Sequence, residues 1–207
     1  MAKVGQKLRE CNKYDSSPYP WPQDGNHQGG PGRPLPYYRI ANAANQGRNG
    51  ERDYLLIRLL FETGLRVSEA LSLNPSCLGT FEGKPCLGFV GKGNKPRIVA
   101  IPEPLVHRLQ SYAYAKGITR GQRFFSINRR RAWQLIKAAA DRAGVGKRVY
   151  PHLFRHSDAI ERLRQTGNPK ALQHHLGHSS PVMTMRYLST LQEEDSLRIQ
   201  QQVSFPE

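Results

Sequence analysis

Between Glu51 and Thr63 the apolar residues Leu55, Leu56, Leu59, Leu60 and Phe61 recur at the spacing of one helix face. Gly64 is placed to end that helix. A second, short helix is predicted from Arg66 to Leu73, stopped by Asn74-Pro75. The pattern then changes. Leu87 to Val90 and Arg97 to Ile101 read as two strands of a hairpin, joined by the turn Gly91-Lys92-Gly93-Asn94-Lys95. Helical spacing returns from Pro102 to Ala115, with Leu105, Val106 and Leu109 on the apolar face. Phe124-Phe125-Ser126 reads as a short extended segment, and Arg129 to Ala143 as a helix carrying Trp133, Ile136 and Lys137 and closed by Gly144. Three more helical pieces run from Leu153 to Gln165, Lys170 to Leu176 and Pro181 to Leu188, the first two set off by Gly167 and Gly177. Leu191 to Val203 has the pattern of one further, weakly amphipathic helix. The expected class is α+β, mainly α, with one small antiparallel sheet or hairpin.

Composition sets the domain plan. Residues 1–36 are rich in Pro and Gly, as in Pro18-Tyr19-Pro20-Trp21-Pro22 and Gly29-Gly30-Pro31-Gly32, and read as a tail or linker. A single folded domain is expected over 37–190, with 191–207 as a C-terminal tail, and there are no internal repeats. At 38% hydrophobic residues the chain can bury a core, which excludes wholesale disorder. The formal charge is +15. Residues 1–36 contain five Lys/Arg against three Asp/Glu, and the remainder 26 against 13, so the surplus belongs to the folded part. Such a surplus suits a polyanion such as nucleic acid, because Lys and Arg displace counterions from phosphates, although a basic surface that only aids solubility gives the same number.

Cys11, Cys77 and Cys86 are odd in number and lack C-x-x-C spacing, which suggests neither a disulfide framework nor a zinc module. No run approaches the length of a membrane span, and the first residues lack a signal-peptide core. The expected location is the cytoplasm, at the nucleoid.

Four separated blocks carry the candidate chemistry. They are Thr63-Gly64-Leu65-Arg66-Val67-Ser68-Glu69, the Lys92 turn, His152-Leu153-Phe154-Arg155-His156, and Leu176-Gly177-His178. Tyr187 follows His178 by nine residues. Displacement at a phosphodiester passes through a highly charged, pentacoordinate phosphorus. Arg66 and Arg155 could clamp its non-bridging oxygens with planar forks of donors, more strongly in the transition state than in the ground state. Lys92 could protonate the leaving alkoxide if neighbouring arginines lower its pKa. Tyr187 could attack, given activation by a base or by positive charge, with His178 near in sequence and His152 able to join in space. Glu69, three residues after Arg66 on the same helix face, would orient a basic partner.

Taken together these blocks resemble the tyrosine recombinase or phage integrase family. Its signature is an arginine in T-G-[LM]-R-x-[ST]-E, a lysine in a G-K-G hairpin, H-x-x-R-H, L-G-H, and a tyrosine nine residues after that histidine. Every element is present in order between about residues 37 and 190. The resemblance implies the catalytic-domain fold of that family and site-specific recombination of double-stranded DNA without metal, cofactor or external energy source. Tyr187 would form a 3′-phosphotyrosyl bond and free a 5′-hydroxyl, and the hydroxyl of another strand would reverse the step. It also implies that Arg66 and Arg155 bind the phosphate, that Lys92 is the general acid, that His152 and His178 assist proton transfer and phosphate binding, and that Glu69 supports the site. A homo-tetramer on synapsed DNA, a monomer in free solution, accessory DNA-bending proteins, and a C-terminal segment that packs on a neighbouring protomer are further implications.

The chain departs from the family pattern at three places. Asp158-Ala159-Ile160 stands where an aromatic and Ala-Thr are common, and Arg186 stands where an apolar residue commonly precedes the tyrosine, placed to steady a phenolate. The Pro/Gly-rich residues 1–36 do not supply the helical core-binding domain of most members. That fits either a naturally short recombinase, like the fimbrial-switch invertases, or an excised catalytic domain.

Each residue has a plainer reading. Arg66 alone would be a surface helix residue, and Lys92 alone a turn lysine. His174 and His178 have i,i+4 spacing, but Gly177 interrupts the helix and no carboxylate or thiol ligand is close in sequence, so a metal site is not expected. His156 reads as a buried structural residue, and Met183 and Met185 as packing residues. The joint order overturns the plain readings of the motif residues. Two competing functions are a type IB topoisomerase, which relaxes DNA without exchanging partners, and a catalytically silent DNA-binding module.

Overall fold

The computed structural model describes residues 36–91, 93–145 and 148–203. Lys92 and residues 1–35 therefore lie outside the described residues, as do 146–147 and 204–207.

The chain opens with α1 (Tyr37–Asn45), followed by α2 (Gly50–Thr63) and α3 (Val67–Ser72). A 3-10 turn (Pro75–Cys77) leads into an antiparallel sheet of β1 (Leu78–Phe81), β2 (Lys84–Val90) and β3 (Pro96–Ala100), in the order β1-β2-β3. Then come α4 (Glu103–Ala115), α5 (Arg129–Arg142), α6 (Pro151–Thr166), α7 (Pro169–Leu176), the short α8 (Val182–Met185), a 3-10 turn (Leu188–Thr190) and α9 (Glu193–Gln201). The mainly helical α+β class follows from this order.

Helix α2 is the centre. Its Leu55, Leu56, Ile57, Leu59 and Leu60 are fully buried, and α1, α4 and α6 pack around it. The apolar run predicted the helix, and Gly64 ends it with φ at +59°. The sheet closes one side of this core through Leu87 and Val99, which face each other in register on β2 and β3. Phe124 and Phe125 are buried in the core as irregular backbone, with the Phe124 amide donating to the Leu73 carbonyl at 3.0 Å, where an extended segment was expected.

Two elements differ from the sequence reading by being present at all. Helix α1 packs along α2, with Tyr37 stacked on Phe61 at 3.6 Å between ring centres. Strand β1 adds an edge to the expected hairpin. A third difference is at the C-terminal side, where the expected helix from Pro181 to Leu188 is a single turn, α8, followed by a 3-10 turn. The Thr190 hydroxyl donates to the Tyr187 carbonyl at 2.6 Å there, drawing it out of an α-helical ladder.

A second, smaller apolar cluster consists of Ala159, Ile160, Leu163, Leu172, Leu176 and Tyr187. Helix α6 runs from the main core at Phe154 into this cluster at Ala159, so Arg155 stands at the crossing. Helix α9 lies on α6 of the same chain, with Arg164 and Asp195 paired at 3.3 Å. No helix of the described residues is long and apolar enough to cross a membrane.

Candidate active site

Arg66 is the residue before α3, in extended conformation, and Glu69 at the third helical position reaches back to it. Glu69 Oε2 accepts from the Arg66 backbone N–H at 2.8 Å, and Oε1 accepts from Arg66 Nη1 at 2.9 Å. The T-G-L-R-x-S-E spacing is thus a helix start whose cap also holds a guanidinium. The Arg66 side chain keeps 29% of its surface exposed, and the Glu69 carboxylate beneath it is buried.

Arg155 is held differently. Only 2% exposed, it donates from Nη1 to the Gly64 carbonyl at 2.5 Å and from Nη2 to the Leu176 carbonyl. One side chain thereby joins the end of α2 to the end of α7. Burial, reinforced by the positive charges of Arg66 and Arg97, lowers its guanidinium to about 10. Arg66 is therefore the open arm of the pair and Arg155 the floor.

His178 follows the α7 cap, Gly177, and its Nδ1 lies 2.9 Å from the buried Thr184 hydroxyl. Desolvation together with Arg155, Arg66, Arg97 and His152 lowers its imidazole to about 4. His152, on the first turn of α6, is pushed down by the same kinds of cause, burial first and then Arg155, His156 and Arg66. Two neutral imidazoles and a set of guanidinium groups thus share one electrostatic neighbourhood.

Tyr187 is 7% exposed and packs within the smaller cluster of its own chain. Burial raises its phenol above the ordinary value, against the pull of Arg155 and Arg186. The ring of His156 sits 4.9 Å from the Tyr187 ring, and His156 itself is exposed, not the buried residue expected. Met183 and Met185, expected as packing residues, are also exposed, because α8 is one turn long and turns only Thr184 inward.

Asp158, a departure from the family pattern, is buried and takes Arg162 Nε at 2.7 Å and His175 Nε2 at 3.0 Å. His175 is thereby a structural partner of Asp158. Among the described residues no group of three or more His, Cys, Asp or Glu side chains is placed to hold a metal.

Sequence reasoning missed Arg97. Its Nη1 donates to Glu69 Oε1 at 3.0 Å and its Nη2 to the His175 carbonyl at 2.6 Å. The available signal was strand alternation. Arg97 and Val99 are on one face of β3 and Val99 faces the core, whereas Ile98 between them is 64% exposed. An open concavity of about 640 Å³ beside Lys116, Arg123 and Asn128 contains none of the candidate residues.

Arg66, Glu69, His152, Arg155, His178 and Tyr187 thus lie in one neighbourhood. Over residues 36–194 the chain matches the model of the phage integrase family. The chain belongs to the phage integrase family. It is 33% identical over 148 residues to the tyrosine recombinase XerD of Mycobacterium tuberculosis, covering 66% of this chain and 47% of that protein. Among solved structures it resembles XerA recombinase, with a TM-score of 0.64 and 27% identity, covering 82% of this chain and 64% of that one. It also shares the fold of XerH site-specific recombinase bound to palindromic difH substrate in a post-cleavage complex, with a TM-score of 0.67 and 20% identity, covering 80% of this chain and 50% of that one. The chain spans about half the length of the curated relatives it matches.

Proposed function

We propose that the chain is the catalytic domain of a site-specific DNA recombinase that breaks and rejoins strands through a 3′-phosphotyrosyl bond on Tyr187. The observation that carries this reading is the gathering of the motif residues: Glu69 holds Arg66 at 2.9 Å, Arg155 ties the Gly64 carbonyl to the Leu176 carbonyl, and His178 follows on from that same segment, its imidazole held down by burial and by Arg155, Arg66 and Arg97. A site that crowds several guanidinium groups around a neutral imidazole, with Glu69 as their carboxylate partner, is built for an anion whose charge grows during reaction. A phosphodiester passing to pentacoordinate phosphorus is such an anion.

In this reading the Tyr187 hydroxyl gives its proton to a neutral imidazole, His178 or His152, and its oxygen bonds to phosphorus as the bond to the 5′-oxygen breaks. Arg66 and Arg155 hold the non-bridging oxygens. Lys92 gives its proton to the departing 5′-oxygen. His178 and His152, uncharged near neutrality, pass protons or donate hydrogen bonds to the phosphate. The 5′-hydroxyl of a second strand then attacks the phosphotyrosine and restores the phenol, so the bond energy is conserved and neither metal nor nucleotide is needed.

DNA as the substrate is supported by the charge of +15 and by the first turn of α5. Arg129, Arg130 and Arg131 are all exposed there, at the helix end where the backbone dipole disfavours cations. An adjacent polyanion would offset that cost. The proposed boundaries are 37–190 for the catalytic unit and 191–207 for a C-terminal segment, whose helix α9 rests on α6 of its own chain here and would have to leave it to engage a neighbouring protomer. The proposed working assembly is a homo-tetramer on two synapsed DNA sites in the cytoplasm, with DNA-bending accessory proteins. The relatives named above are recombinases, which favours strand exchange over relaxation or silent binding.

The test is covalent trapping. Wild type and Tyr187→Phe are incubated with nicked duplexes of randomised sequence around the scissile step, and products are separated on a denaturing gel. The nick lets the short product leave, so the adduct accumulates. A protease-sensitive shifted band from wild type alone is the expected result. DNA binding by wild type without any such band overturns the reading.

A further inference from the structure

Arg97 is a guanidinium whose surroundings are shaped to it. Its side chain is 12% exposed, against 29% for Arg66, and its guanidinium lies 5.2 Å from the centre of the Phe89 ring on β2. One arm reaches Glu69 on α3 and the other the His175 carbonyl near the end of α7. Two glycines of the signature blocks leave it room. A Cβ on Gly91 would lie 2.8 Å from Arg97 Cδ, and one on Gly177 would lie 2.7 Å from Arg97 Nε. Real Cβ contacts are not that short, so both glycines give Arg97 its place.

The partner of Arg97 is also the partner of Arg66. Glu69 Oε1 accepts from Arg66 Nη1 at 2.9 Å and from Arg97 Nη1 at 3.0 Å. Two positive groups and one negative group leave the trio with one net positive charge. Without Arg97, the carboxylate would be matched by Arg66 alone, and the exposed arm of the clamp would be drawn back and neutralised.

We infer that Arg97 is a positioning residue for the reaction proposed above: by sharing Glu69 it leaves Arg66 charged and directed to the cleft, and by binding the His175 carbonyl it fixes the segment that leads to His178. Its role is assigned through the partners it holds, the Glu69 carboxylate and the His175 carbonyl, and not through a contact with the phosphate. The inference rests on the recombinase reading, in which Arg66 holds the scissile phosphate.

The test compares two forms of one duplex selected by covalent capture with wild type. One carries the ordinary scissile phosphodiester. The other carries a methylphosphonate there, in which a methyl group replaces a non-bridging oxygen and the negative charge is gone. Arg97→Gln should lower the rate of adduct formation on the phosphodiester roughly 100-fold, the scale of a misplaced catalytic group. On the methylphosphonate the same variant should lose less than about tenfold, matching the pattern of Arg66→Ala, because a neutral centre has little need of the clamp's charge. Arg97→Lys should not recover the loss, because one ammonium cannot reproduce a fork that spans two partners. Gly91→Ala presses on Arg97 from the hairpin side and should give the same selectivity, which keeps the test decisive if Arg97→Gln does not fold. Equal losses on both substrates, or full activity of a folded Arg97→Gln, overturn the inference while leaving the recombinase reading intact. Failure of wild type to form an adduct on either substrate overturns that reading and the inference with it.

Discussion

His178 Nδ1 and Thr184 Oγ1 lie 2.9 Å apart, with Thr184 buried at the one inward position of α8. This contact fixes the ring plane and leaves Nε2 as the nitrogen that faces outward chemistry. Thr184→Val keeps the shape and removes the hydroxyl. The expected outcome is a roughly 10- to 100-fold slower formation of the tyrosyl adduct with little change in DNA affinity. Single-turnover kinetics beside a binding titration would check it.

Acid should weaken the fold. His178 falls from 6.5 to about 4 on folding, and the half-buried His175 also falls, with burial the first cause in each. Between those values the unfolded chain binds more protons than the folded chain, so stability rises with pH. The stability held by these neutral imidazoles is complete above about pH 6.5 and is lost as pH falls toward 4. Denaturant titrations across that window should show the decline, and His178→Asn should flatten it.

Gly64→Ala should damage the fold and the site together. The residue has φ of +59°, and a Cβ would meet Asp158 Oδ2 at 2.3 Å and His175 Nε2 at 3.0 Å. Left-handed strain and overpacking together cost roughly 2–4 kcal/mol. The Gly64 carbonyl is also a partner of Arg155. Thermal denaturation should show the loss, and the adduct yield of the fraction that stays folded should fall as well.

Tyr37→Ala tests whether α1 belongs to the domain. Tyr37 is buried and stacked on Phe61 of α2. Removing a large buried ring costs about 3 kcal/mol or more. Calorimetry should record one cooperative transition at lower temperature. An unchanged midpoint would mean that α1 is an independent appendage.

The long helices were legible because their cores are made of Leu and Ile at helical spacing, as in α2, and because Gly64, Gly167 and Gly177 mark their ends. Helix α1 was not, because Tyr37–Asn45 buries mostly alanines, Ala41, Ala43 and Ala44, beside Ile40, and follows a Pro/Gly-rich stretch. Small residues pack helices closely without leaving a strong apolar stripe. Strand β1 is an exposed edge containing Gly79 and Thr80, and its turn to β2 uses positive φ at Glu82 and Gly83, a hairpin signal weaker in sequence than Asn-Gly. The candidate site was legible through the spacing of its motifs. Arg97 was not, because its role depends on the sheet bringing it to Glu69 across 28 residues. Asp158 was noticed only as a departure, whereas its pairing with Arg162 and His175 depends on α7 folding back onto α6.

The two apolar clusters differ greatly in size, and Tyr187 belongs to the smaller one. Free energies of local opening scale with the apolar contacts that must be broken, and small clusters open well before a whole domain unfolds. The proposed nucleophile therefore rides on a unit expected to open at lower cost than the main core, against which Arg66 and Glu69 are set. Slow amide exchange would be retained across α2 while the segment around Tyr187 exchanges early. A phenol stored in such a unit can be released and recaptured without disturbing the frame that receives the phosphate.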